Sequence, residues 1–166
     1  MSMTLTYKRL FTLFGFCLLL VSCDTFDPGP GQPESEPVKF TTIRQASHSG
    51  LSEETTTIIR ERDDFEAFWQ ELHANRKPVP ETPSVDFEKK MVLIYAIGAK
   101  PTGGYSATIT DIATHENTLV VNVTNHSPGD RCIVTQALTS PYHMVELESY
   151  NLPLDIQVEE TVTDCS

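Results

Sequence analysis

The hydrophobic positions of this chain fall into short runs separated by proline, glycine and small polar residues, and several of these runs alternate with polar positions. Phe40-Thr-Thr-Ile-Arg-Gln-Ala46 predicts a first strand, and the β-branched residues at 55–59 predict a second that ends at Arg60. The strongest strand signal is Met91-Val-Leu-Ile-Tyr-Ala-Ile97, which predicts a central strand over 90–97. Alternation returns at 106–113, and 119–124 follows as its partner after a turn at 115–117. Further strand patterns cover 132–138, 144–147 and 154–162, with a turn at 127–130 and an interruption at 139–142. One segment has a different period. Phe65, Phe68, Trp69 and Leu72 fall at i, i+3, i+4 and i+7, a single apolar stripe that predicts an amphipathic helix. Asp63 is the expected N-cap, with Glu66 three positions on as in a capping box. Lys77-Pro-Val-Pro-Glu-Thr-Pro-Ser84 ends that helix. Many short strands and one helix predict a mainly β chain: an antiparallel β-sandwich or partly open barrel with the helix packed on it.

Between the central strand and its successor lies Gly98-Ala-Lys-Pro-Thr-Gly-Gly-Tyr105-Ser. Pro101 fixes its own φ and biases Lys100 toward extended geometry. Gly103 and Gly104 are expected to supply positive φ, and Tyr105 sets an amphipathic ring beside the reversal. Two readings follow. The segment is a hairpin turn whose Tyr packs inward, or a rigid loop that presents an aromatic for recognition.

The N-terminal residues carry an address. Lys8 and Arg9 precede an apolar run over 10–21, interrupted by Thr12, that is too short to span a bilayer and has the length of a signal-peptide core. It ends in Leu20-Val21-Ser22-Cys23, which resembles the lipobox of bacterial lipoproteins. That resemblance implies cleavage of residues 1–22 and lipid on Cys23, hence a chain tethered to the membrane of a bacterial cell envelope, periplasmic or surface-exposed. Residues 24–37 contain four prolines, two glycines and four acids, so 23–37 reads as lipid anchor and disordered tether and 38–166 as one domain. Loss of 1–22 removes Lys8 and Arg9 and no acid, so ten bases face 23 acids and the formal charge becomes −13. Such a chain is a poor partner for nucleic acid or an anionic membrane surface.

With Cys17 in the leader and Cys23 lipidated, Cys132 and Cys165 remain, and an even pair in an exported chain predicts one disulfide. No CxxC or HxxxH spacing offers a metal site, and no cofactor motif is present. His48, His73, His115, His126 and His143 are scattered. Ser127 near His126 and Asp130 is a turn sequence before it is a nucleophile site, and Asp86 with Glu88 is a solvated strand entry. The expectation is a protein that is not an enzyme.

Residues 85–105, Val-Asp-Phe-Glu-Lys-Lys-Met-Val-Leu-Ile-Tyr-Ala-Ile-Gly-Ala-Lys-Pro-Thr-Gly-Gly-Tyr, together with Thr139-Ser-Pro-Tyr-His-Met-Val145 and the upstream Phe65-Glu-Ala-Phe-Trp69, resemble the PrcB family C-terminal domain. That family is named after a lipoprotein subunit of a surface protease complex. The resemblance covers roughly 40–160 and implies a non-catalytic accessory subunit with a protein partner, a cell-envelope protease being the one it points to. The Pro101-Thr-Gly-Gly-Tyr105 segment is also similar to a loop of chagasin-like cysteine protease inhibitors, which are Ig-like sandwiches, with Ser140-Pro-Tyr142 standing for a second loop of theirs and 127–130 a poor match to another. Lys100 and Gly103 depart from that pattern. Both resemblances point to Lys100, Pro101, Thr102, Gly103, Gly104, Tyr105, Pro141 and Tyr142 as a candidate protein-binding edge, with loops 99–105 and 139–143 adjacent and both tyrosines displayed. A third reading, an envelope glycan binder, needs aromatics along a flat face, and the sole Trp is committed to the helix stripe.

Overall fold

The computed structural model describes residues 35–165. The leader, Cys23 and the tether as far as residue 34 lie outside the described residues. In chain order the elements are β1 (Ser35–Pro37), β2 (Phe40–Ala46), β3 (Glu54–Ile59), α1 (Arg62–Leu72), β4 (Lys90–Ile97), β5 (Ser106–His115), β6 (Thr118–Pro128), β7 (Tyr142–Glu148) and β8 (Leu154–Thr163). They form two four-stranded sheets, β1-β5-β6-β8 and β2-β7-β4-β3, packed face to face as a sandwich with no closed barrel. All pairings are antiparallel except β6 with β8. Parallel neighbours need a crossover, and here the chain leaves β6, adds β7 to the opposite sheet and returns as β8.

Strand periodicity explains the layering. Met91, Leu93, Tyr95 and Ile97 of β4 and Val145 and Leu147 of β7 face Ile109, Ile112, Leu119, Val121 and Val123 of the other sheet. The intervening positions, Val92, Ile94 and Ala96 with Tyr142 and Met144, pack instead against Phe65, Trp69 and Leu72 of α1. Two strands are therefore buried on both faces, and the unbroken run Met91-Val-Leu-Ile-Tyr-Ala-Ile97 is what such a position requires. Trp69 donates its indole N–H to the Pro80 carbonyl at 2.9 Å, and Arg62 donates to the Val85 carbonyl at 2.8 Å, so the proline-rich connection is tied to the helix it follows.

Several boundaries differ from those expected. Ser35–Pro37, counted above with the tether, pairs with β5 as a short edge strand. The helix starts two residues early, with Glu61 at the N-cap and no side-chain capping bond, which leaves Asp63 and Asp64 as first-turn acids favoured by the helix dipole. The turn expected at 127–130 begins later, because β6 stays paired with β8 as far as Pro128 and Thr163. Residues 132–138 are not a strand. They carry the crossover between sheets, where both central strands of the receiving sheet already have neighbours on each side.

Cys132 and Cys165 are disulfide-bonded, as the cysteine count predicts, and the Gly129 N–H donates to the Thr163 carbonyl at 2.9 Å beside them. Polar links join the sheets. Gln45 donates to the Ala107 carbonyl at 2.8 Å, the Asn125 amide donates to the Tyr95 hydroxyl at 3.1 Å, and the Ile109 N–H donates to Nδ1 of buried His143 at 2.9 Å. An Nδ1 that accepts leaves the proton on Nε2, which donates to the Thr42 hydroxyl at 2.9 Å. Burial lowers the His143 pKa below its ordinary value, so the ring is neutral.

Candidate protein-binding edge

At the end of β4 the backbone turns sharply. Gly98 has φ of 69°, and a Cβ there would lie 2.8 Å from the Ser52 carbonyl oxygen, so the position excludes any side chain on both counts. The chain then runs alongside the segment that leads into β7. Lys100 and Thr139 form an isolated antiparallel bridge with N···O distances of 2.7 and 3.0 Å, and the Thr139 hydroxyl donates to the Thr102 carbonyl at 2.7 Å. Loops 99–105 and 139–143 are therefore neighbours, as expected from the sequence.

The role of the two glycines divides. Gly104 has φ of 90°, as anticipated, but Gly103 does not have positive φ. Its requirement is space: a Cβ would sit 2.3 Å from the Thr135 hydroxyl, and its N–H donates to the Thr135 carbonyl at 2.9 Å. The glycine loop thus rests against 129–138, a segment itself held by the disulfide.

The displayed residues are not the expected ones. Tyr142 is 1% exposed, because it shares the helix-facing side of β7 with Met144. Burial raises its hydroxyl pKa, and the Arg44 guanidinium beside it opposes that rise. Tyr105 is half-buried against the core between the sheets, and Pro141 is buried with its carbonyl accepting from the Ile97 N–H at 3.1 Å. Tyr142 and Pro141 are thus turned into the fold, and Tyr105 is partly exposed. In the glycine loop Ala99, Pro101 and Gly104 are exposed, and Lys100, Thr102 and Tyr105 are partly covered.

Next to them stand apolar side chains that the strand reading of 132–138 concealed. Ile133 is fully exposed, Leu138 is 73% exposed, and Val162, at the disulfide-bonded end of β8, is 67% exposed. Three of the four large hydrophobic residues exposed among the described residues therefore lie on 129–138 or beside the disulfide that holds it. A signal for them was present: the turn residues Ser127-Pro-Gly-Asp130 and Thr139-Ser-Pro141 bracket a cysteine-bearing segment on both sides, the composition of a connection. The loop at 127–130 joins the same end, since a Cβ on Gly104 would lie 3.0 Å from Pro128. No cluster of three or more metal-ligating side chains occurs among the described residues.

Residues 91–148 match the family model described as PrcB C-terminal. This stretch holds β4 to β7, the glycine loop and the 129–138 segment, which includes most of the edge just described. No curated protein and no solved structure matches the chain.

Proposed function

From the premise that residues 91–148 of this chain are a PrcB C-terminal domain, we propose that it is a non-catalytic, membrane-anchored lipoprotein that holds a protein partner in the cell envelope, an envelope protease being the partner class the family name points to. The observation that carries this reading is the pinned apolar loop. Ile133 and Leu138 sit on a segment closed by the Cys132–Cys165 disulfide and bonded to the glycine loop through Thr135 and Thr139, so a partner meets apolar groups already held in place. Exposed hydrophobic residues on a rigid edge fit association, because burying them is favourable and little chain entropy remains to be lost. The chagasin-like alternative asks for an aromatic from the third loop, and Tyr142 lies in the core.

Crosslinking in intact envelopes tests the reading. The wild-type chain should capture one predominant protein, and Ile133→Asp with Leu138→Asp should abolish that capture while leaving the unfolding midpoint unchanged. Undiminished capture by the double variant would sink the proposal. Inhibition of papain-type proteases by the purified chain would favour the inhibitor instead.

A further inference from the structure

Beside the glycine loop, and sharing Ala99, Leu138 and Thr139 with it, a cleft of about 420 Å³ opens between the β2–β3 connection and the end of α1. That volume falls within the range of ligand-binding clefts, about 300–1,000 Å³. Its walls combine apolar side chains, Leu51, Leu72 and Leu138, with His48, His73 and Arg76. None of the lining residues is acidic, in a chain with 23 acids and 12 bases. The cleft is a local reversal of the protein's charge.

The one guanidinium there is also unpaired. The side chain of Arg76 has no ion-pair or hydrogen-bond partner among the described residues, although Lys89, Lys90 and Arg131 all have carboxylate partners. Behind the wall, Nε2 of His73 is buried without a partner, and the Arg44 guanidinium lies beside the buried Tyr142 hydroxyl. His73 donates Nδ1–H to the Trp69 carbonyl at 3.0 Å, so its unpartnered nitrogen carries the lone pair. Arg44 and Arg76 are the charges acting on both His73 and Tyr142. Buried polar groups are normally satisfied, and the unpartnered Nε2 of His73 in the same lining as the unpaired Arg76 guanidinium offers an extended segment an acceptor for a backbone N–H beside a cationic donor for its carboxylate.

We propose that this cleft receives a carboxylate carried by an extended, acidic segment of the protein partner, with Arg76 as the exposed donor, Arg44 reinforcing the field from behind and the leucines covering the segment's aliphatic parts. The inference rests on the reading of this end as a docking edge and adds the chemistry of what docks. A guanidinium engages a carboxylate through two parallel N–H···O bonds, which a lysine cannot reproduce. The mixed lining favours a peptide carboxylate over a free anion, because a free anion has no use for Leu51, Leu72 and Leu138.

Calorimetric titration of the full chain tests it with a tetrapeptide of two leucines and two glutamates bearing a free C-terminus. The control is its glutamine counterpart with an amidated C-terminus. The acidic peptide should bind at least about tenfold more tightly, the loss of one charge-assisted bond being worth about that factor. Arg76→Ala should lose that advantage, Arg76→Lys should keep part of it, and Leu138→Asp, which puts a like charge at the mouth, should weaken the acidic peptide selectively. Arg76 and Leu138 are exposed, so all three variants should keep the wild-type unfolding midpoint. Equal binding of the two peptides, absence of binding by the acidic one, or an unaffected Arg76→Ala variant would overturn the assignment. So would displacement of the peptide by inorganic phosphate at equal concentration, which would make the site one for free anions. If peptide discrimination fails while crosslinking through Ile133 survives, the docking edge stands and only its acidic specificity falls. If the crosslink is lost and discrimination persists, the cleft assignment stands without that edge.

Discussion

Sheet β2-β7-β4-β3 is covered on both sides, by the other sheet and by α1, whereas β1-β5-β6-β8 turns one face to water. Strand β4 is buried at every position from Met91 to Ile97, while β6 alternates buried Leu119, Val121, Val123 and Asn125 with half-covered neighbours. The candidate site lies at the rim of the covered sheet, where the helix ends and the β4–β5 and β6–β7 connections cross. Double coverage makes that rim rigid, since each backbone there is fixed from two directions. The open sheet, with only its inner face packed, relies on a covalent link at the end of its outer strand β8.

The sharpest way to break this contrast is to remove the helix's grip. Trp69→Ala should destabilise the chain by about 3–5 kcal/mol in denaturant unfolding, as large aromatic deletions from cores do. Asn122→Ala, on the open face, should stay within about 0.5 kcal/mol. Similar losses at both sites would mean that the helix is an ornament on a sandwich stable without it. Next comes the staple. Replacing Cys132 and Cys165 with serine opens a loop with a sequence separation of 33. Chain-entropy reasoning gives a cost of about 4 kcal/mol for a loop of that size. Faster hydrogen exchange should appear in 129–138 and the end of β8 and leave β4 protected; exchange rising first in β4 would contradict the assignment of roles.

A smaller effect is expected at the rim. Gly103→Ala forces a methyl group against the Thr135 hydroxyl and should cost about 1–3 kcal/mol, the range for overpacking. Gly103→Ala combined with Thr135→Gly should recover part of that loss, whereas no recovery would show that the strain lies elsewhere.

The smallest effect joins the two sheets. His143 and His73 both have pKa values lowered by burial below 6.5. A depressed folded pKa means that the unfolded chain binds the proton more readily, so their contribution is complete above about pH 6.5 and is lost as pH falls toward the folded values. Protonation of His143 would also set two donors against each other at the Ile109 N–H. The fall should not exceed about 1.4 kcal/mol per pH unit for each histidine. Unfolding midpoints between pH 7.5 and 5 should show it, and His143→Gln should flatten the slope; a slope unchanged in that variant would remove His143 as its source.

The elements were legible where one face or one period dominates. The ends of β2 and β4 coincide with the readings from sequence, and the stripe of Phe65, Trp69 and Leu72 is buried as the 3.6-residue period demands. The reading failed at 132–138 because Cys-Ile-Val is strand-like in composition, whereas the segment crosses from one sheet to the other and pairs with neither. It failed at Tyr142 because a Tyr beside a turn is equally compatible with display and burial until the face of its strand is known.

The sequence alone determined the mainly β class, the amphipathic helix, the reversal at the glycine loop and the expected pairing of the two cysteines of the domain. These follow from local periodicity, glycine and proline stereochemistry and a count of cysteines, all of which act over short stretches or by elimination. Only the tertiary structure decided what that edge exposes. It turned Tyr142 inward, left Ile133 and Leu138 outside, and brought Arg44 and Arg76 near His73 from positions that no spacing connects. Which way a side chain faces, and which distant charges share its surroundings, depends on the partner laid across its strand, and that partner is chosen by the whole fold.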